Sequence, residues 1–269
     1  MQNARRSVCI LHCALCMTAM LAFSACGARR IALPSDPGAP LPDFVDVYRT
    51  LTASCGGVRT FTAELGLSGR AGGNRVRGRA IVGFARPDSL RLEGVAPFGP
   101  PAFILAARGA NATLLLPRDD RVVRKAPPDQ ILEALTGVAL SPADLQAVLT
   151  GCAVPMATPV AGRLHQNGWA SIDLDSGAMV YLEREGAQWR LRAGRHREWQ
   201  IEYPSWQGMF PSAVRLISLR PGVDVDLTAA VSQLEANVQI DEAAFTVDVP
   251  SGASDLSLAE LRQAGPLRN

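Results

Sequence analysis

Along residues 60–67 apolar and polar side chains alternate, with Phe61, Ala63, Leu65 and Leu67 on one face. A repeat of two residues marks a strand with one dry side. Residues 75–84 repeat it, setting Arg75, Arg77 and Arg79 against Val76, Gly78 and Ala80. Further strands are predicted at 121–125, 170–174, 179–184, 188–192, 198–203, 213–219, 223–227 and 245–249. Residues 43–55 follow a different period. Phe44, Val47, Tyr48, Leu51 and Cys55 fall on one helical stripe that Gly56-Gly57 ends. Two shorter helices are predicted in mid-chain. The first covers 128–136 and stops at Gly137; the second opens on the cap Ser141 with Pro142 and Asp144 behind it and stops at Gly151. Neither is long enough to stand alone in water, so both must pack on the sheet across an open end. A short C-terminal helix is predicted within 254–264. With about ten or eleven strands in sequence order, the fold class is α+β with a strongly curved antiparallel sheet or barrel.

The stretch Ser89–Pro117 departs from simple alternation. Leu90 and Leu92 point one way and Arg91 and Glu93 the other, as a half-solvated strand requires. The turn 96–101 holds three prolines and a glycine, so it is a loop with little freedom. Residues 102–107 and 114–116 are then apolar on both faces. Something apolar must cover each side, and a core plus an interior cavity would do so. Phe98 sits at the tip of the stiff loop. Either it folds back onto the body, or it is held out toward a membrane or lipid.

Charge and cysteine usage narrow the setting. Residues 1–25 carry Arg5 and Arg6, no acid and a long apolar run, and end Phe23-Ser24-Ala25 just before Cys26. A charged start, an apolar middle and a small-residue cleavage site make a secretory signal. The stretch resembles a bacterial lipoprotein signal, which implies that Cys26 is lipidated and becomes the mature N-terminus. Two or more acyl chains anchor a protein stably. Four prolines within 26–42 predict an extended, semi-rigid tether, at ~3.1 Å per residue, ahead of a single domain over 43–269. Two of the 27 basic residues lie in the signal, which leaves 25 against 25 acidic ones. A neutral chain gathers no nucleic acid. The basic stripe Arg75, Arg77 and Arg79 lacks interleaved aromatics and reads as a solvated sheet face; contact with anionic lipid headgroups is the lesser reading. Cys55 and Cys152 remain outside the signal and lack metal-site spacing. In an exported protein they form one disulfide, with a loop worth roughly 4 kcal/mol, or stand as two buried thiols; both readings stay open.

Signals for catalysis are poor. His165 and His196 lie far apart outside any ligand pattern and read as surface histidines. Gly66-Leu67-Ser68-Gly69 is no nucleophile elbow, and Asp119-Asp120 and Asp173/Asp175 read as a turn and an outward strand face. No cofactor is expected.

Leu90-Arg91-Leu92 leading to Pro97-Phe98-Gly99, then residues 131–137 and 141–151, then Trp199, Tyr203, Pro211 and Arg215-Leu216, together resemble the LolB and LolA lipoprotein-localisation family. Two features depart from it: the family usually carries Leu where Phe98 stands, and the tail after Leu227 is longer than expected. The resemblance implies an incomplete antiparallel barrel closed by short helices over an apolar cavity. It further implies a membrane-anchored receptor on the periplasmic side of the outer membrane, which takes lipoproteins from a LolA-like soluble carrier. The loop Pro97, Phe98, Gly99 would touch the bilayer, and Leu90, Leu92, Phe103, Leu105, Leu114 and Leu116 would line the acyl-chain cavity. Such a receptor is expected to work as a monomer. Two alternatives remain: a structural or sensory lipoprotein that binds a protein or glycolipid without transferring it, and a hydrolase sensitive to His165 or His196.

Overall fold

The computed structural model describes residues 30–196 and 198–264, and residues from Leu33 onward form one compact unit. Its strands make a single curled sheet in the order β1-β8-β9-β10-β11-β12-β13-β14-β2-β3-β4-β5-β6-β7-β15. One meander runs from β2 (Thr60–Ala71) through β3 (Asn74–Ala85), β4 (Ser89–Val95), β5 (Phe103–Arg108) and β6 (Asn111–Leu116) to β7 (Arg121–Ala126). The other runs from β8 (Pro159–Leu164) through β9 (Trp169–Leu174), β10 (Met179–Glu185), β11 (Gln188–His196), β12 (Trp199–Gln207) and β13 (Phe210–Ser218) to β14 (Val225–Ala236). The seam between them is β14 against β2, antiparallel from Val225↔Ala71 to Ala236↔Phe61. Gly69 makes it possible. At its φ of +135° a Cβ would sit 2.1 Å from the Asp226 carbonyl oxygen, so only glycine allows the two backbones this approach.

The sheet has fifteen strands, more than the ten or eleven predicted. The additions are edge pieces without a legible pattern. β1 is only Ala39–Pro40 and pairs with β8. β15 is only Ser254–Asp255 and is the one parallel partner, on β7. β8 has a register shift between Pro159 and Ala161, and the missing side chain of its Gly162 leaves room for Phe44. The strand predicted at 245–249 is absent: Glu242–Phe245 form a 3-10 turn that lies on β4 and β5. Arg91 holds this tail by donating to the carbonyls of Ala244 (2.7 Å) and Thr246 (2.9 Å). The tail explains why 102–107 and 114–116 are apolar on both faces. One face looks into the core; the other holds buried Ala106 and Leu115 on the side the tail covers.

The helices are α1 (Phe44–Gly56), α2 (Pro128–Thr136), α3 (Pro142–Thr150) and α4 (Leu258–Ala264). Ser141 and Asp144 form the full capping box of α3, and Gly137 and Gly151 end α2 and α3 with left-handed φ of 80° and 89°. At α4 Ser257 and Glu260 satisfy one another in the same way, with Ser257 N–H donating to Glu260 at 2.9 Å and Glu260 N–H to Ser257 Oγ at 3.2 Å. That box starts the helix at Leu258 rather than near 254. The Ser257 hydroxyl and N–H, with Arg121, hold the Glu260 carboxyl down to about 2. Leu261 of α4 is fully buried, and the helix packs on α2.

Two attachments fix the end of α3. Cys55 on α1 and Cys152 just past α3 are joined as a disulfide with Cα atoms 5.7 Å apart. The Tyr203 hydroxyl of β12 donates to the Val148 carbonyl and accepts from the Ala153 N–H, both at 2.9 Å. Burial pushes the Tyr203 phenol far above its ordinary value, against the lowering effect of the Ala153 bond. Below about pH 10 the phenol is neutral in folded and unfolded chains alike. Above it the unfolded chain ionises there while the folded one does not. The unfolded state then binds fewer protons, and stability falls by about 1.4 kcal/mol per pH unit from this group. Tyr203→Phe is expected to remove that share of the alkaline loss. At neutral pH it should lower stability by about 1–3 kcal/mol, since the buried Ala153 N–H loses its partner and the Val148 carbonyl keeps only the Gly151 N–H at 3.4 Å. Urea unfolding at neutral and alkaline pH reads both effects.

Candidate functional site

The inner face of the curled sheet meets α2 and α3 around a hollow. Leu65, Leu67, Val76, Ala80, Leu92 and Phe103 line it from β2 to β5. Ile201, Val214, Leu216, Leu227 and Ala229 line it from β12 to β14. Leu132, Leu135 and Thr136 of α2, Leu140, and Leu145, Val148 and Leu149 of α3 make the roof. Thr136 is the one polar side chain among them, and its hydroxyl is spent on the Leu132 carbonyl at 2.8 Å. The space open to the centre of a water-sized sphere is about 100 Å³. Small-molecule pockets run to roughly 300–1,000 Å³, so the hollow is oily but largely closed.

Of the six residues predicted to line a cavity, Leu92 and Phe103 do so. Leu90, Leu105, Leu114 and Leu116 are instead packed into solid core, each at most 2 % exposed. They share the inner face, but here α2 lies against β6 and the roof is filled down to the sheet. Phe103 reaches the hollow by lying over Gly94, where a Cβ would come within 2.5 Å of its ring. Most of the remaining lining belongs to β2, β3 and β12–β14. Alternation marks those residues as inward-facing, but only the helix placement separates filled from unfilled core.

The loop between β4 and β5 is closed at its base by the Ala102 N–H donating to the Gly94 carbonyl at 2.8 Å. Arg118, in the turn between β6 and β7, donates to the Phe98 carbonyl at 2.7 Å and the Pro100 carbonyl at 3.3 Å. Gly99 takes a φ of +76°, with Pro97 and Pro100 stiffening the chain on either side. The Phe98 side chain is 88 % exposed; it does not fold back onto the body. An isolated exposed aromatic is held out by backbone clamps, four residues of proline-rich chain before the strand whose Phe103 lines the hollow.

The histidines are not surface groups. His196 is 9 % exposed. The His165 side chain is 6 % exposed, with Nε2 at 2.8 Å from Ser171 Oγ and Nδ1 at 3.4 Å from Asp36 Oδ2. Asp36, His165 and Ser171 thus stand in a row, as in an acyl-transfer triad. However, Ser171 is buried in mid-sheet, paired with Arg163 on one side and Tyr181 on the other. A nucleophile also needs access and backbone N–H groups turned toward an oxyanion, and this strand position offers neither. His165 Nδ1 makes no hydrogen bond to Asp36, and the N-terminal segment is held to β8 by the β1 pairing. Among the described residues, no three His, Cys, Asp or Glu side chains are grouped to hold a metal ion. None of the described helices is long and apolar enough to cross a membrane. Cys26 and the signal lie outside the described residues.

No known family profile matches the chain, and no curated protein sequence does. Among solved structures it is similar to a DUF1329 family protein from Desulfovibrio piger, at 14 % identity and a TM-score of 0.43 over 77 % of this chain and 98 % of that one. It is similar to an outer membrane lipoprotein-sorting protein domain from Vibrio parahaemolyticus, at 11 % identity and a TM-score of 0.46 over 75 % of this chain and 95 % of that one. A LolA superfamily protein from Nitrosomonas europaea is similar at 9 % identity, with a TM-score of 0.49 over 75 % and 98 % of the two chains.

The hollow can be filled from within. Ala229→Leu adds apolar atoms to its wall without changing polarity, and cavity-filling changes commonly add about 0.5–2 kcal/mol. The variant is expected to unfold at equal or higher temperature, and calorimetry checks it.

Proposed function

We propose that this chain is a membrane-anchored receptor or carrier for acyl chains, which shelters them in the hollow and helps insert lipoproteins into the outer membrane. The observation that carries the reading is the pairing of two features: an apolar hollow under two short helices, and a stiff loop beside it presenting Phe98 to solvent. Each buried CH₂ is worth ~0.8 kcal/mol, so an acyl chain leaves a bilayer only into an apolar sleeve. The hollow is too small for a whole chain while its roof is down. Loading therefore requires the roof to open from the side of α2, since α3 is held at its far end by Tyr203 and the disulfide.

In this reading the lipid on Cys26 keeps the domain at the outer membrane, on its periplasmic side. A LolA-like soluble carrier delivers the cargo. The loop Pro97, Phe98, Gly99 dips into the bilayer where cargo is released. Burying Phe98 there contributes ~1.5–3 kcal/mol, enough to orient a tethered domain but too little to anchor one. The sequence motifs shared with the LolB and LolA family support the same assignment. The Cys55–Cys152 bond supports an exported setting.

Phe98→Glu places a charge at the exposed tip without touching the core. It is expected to leave folding intact and to block lipoprotein insertion. Insertion at the unaltered rate, with normal protein levels, would remove Phe98 from the mechanism. Native mass spectrometry of the purified protein is expected to show bound lipid or lipopeptide; a protein partner held without lipid would point to a sensory or structural role instead.

A further inference from the structure

The wall of the sheet has a notch beside the Phe98 loop. β4 ends at Val95, whose partner on β3 is Arg79. β3 continues to Asn74, so its β4-facing edge has no strand partner over residues 74–78. Arg118 holds the loop from the far side, toward the β6–β7 turn. A groove of about 530 Å³, measured for the centre of a water-sized sphere, fills the gap between the β3 edge and the loop.

Two properties of this groove matter. It is cationic: Arg77, Arg79 and Arg118 line it, and none of its lining residues is acidic. It also adjoins the hollow, since Leu67, Val76 and Phe103 line both spaces. At Gly78, between the two arginines of β3, a Cβ would meet nothing within 4 Å. A side chain there would narrow the passage, and its absence keeps the space open.

Resting on the carrier reading above, we propose that the notch is the headgroup site for an anionic phospholipid. The phosphate lies against Arg77, Arg79 and Arg118, and an acyl chain passes over Leu67, Val76 and Phe103 into the hollow. Cations at the mouth and hydrocarbon behind it match an amphiphile with a negative head, and discriminate against a zwitterionic one whose ammonium meets the same arginines. All three arginines are exposed, so each pairing is weak by itself and the summed preference is screened by salt.

The test uses the purified full chain and short-chain lipids below their micelle concentration, so that no bilayer surface is present. Dihexanoyl phosphatidylglycerol is expected to bind about tenfold more tightly than dihexanoyl phosphatidylcholine at low salt, with the gap closing at high salt. Arg77→Ser/Arg79→Ser is expected to bring phosphatidylglycerol down to the phosphatidylcholine affinity while leaving the latter unchanged, which also reports an intact hollow. Equal affinities in the unaltered protein, or a preference that survives high salt, would overturn the headgroup site and leave the carrier reading standing. Failure of both lipids to bind would overturn the carrier reading itself. Saturable binding of inorganic phosphate alone, with no gain from the acyl chains, would replace the amphiphile by a free anion and overturn the proposal as stated.

Discussion

The seam between β14 and β2 is the constraint on which this molecule depends. Each meander is a local object, built from neighbouring strands and short turns. Only their union, across residues more than 150 positions apart, produces one concave face broad enough to need a roof. The hollow draws its wall from both sides of the seam, with Leu65 and Leu67 from one meander facing Leu227 and Ala229 from the other. The backbone contact at Gly69 is therefore felt far from its own position. Such long-range pairing also loads the folding problem with a large loop-closure term. The 97-residue span closed by Cys55 and Cys152 crosses the first meander and brings α1 to the end of α3.

The roof shows how local and distant forces divide the work. The chain writes the limits of α2 and α3 into itself through proline, a capping box and left-handed glycines. It does not make them stable alone. Their stability comes from the oily face below and from anchors at their sides: Tyr203 and the disulfide for α3, the buried Leu261 and the α4 helix for α2. A cover assembled in this way is well defined at rest and held by few polar bonds over the hollow itself.

Much of this was legible in the residue order wherever the determining interaction is local. The alternation of β2, the cap at Ser141, the stop at Gly137 and the stiff loop around Phe98 all depend on neighbours within a turn or two. What stayed hidden depends on a distant partner. Ala39–Pro40 and Ser254–Asp255 are strands only because an edge passes beside them. Residues 246–249 alternate like a strand but lie outside the sheet. Leu105 and Leu114 carry the same inward signal as Leu92, yet only the position of α2 decides that they are filled core. His165 looks solvent-facing until Asp36 and Ser171 are brought to its ring.

The pairing of β1 with β8 shortens the leash. The proline-rich stretch up to residue 42 has a contour of about 50 Å when wholly free, but its last residues belong to the sheet. The register puts Ala39 and Leu164 toward the end of the strands remote from Phe98, and twelve-residue strands such as β2 measure about 40 Å. The chain ahead of Ala39 therefore joins the domain at the end opposite the aromatic tip, so a pull along that chain would draw the Phe98 loop away from whatever the chain is fixed to.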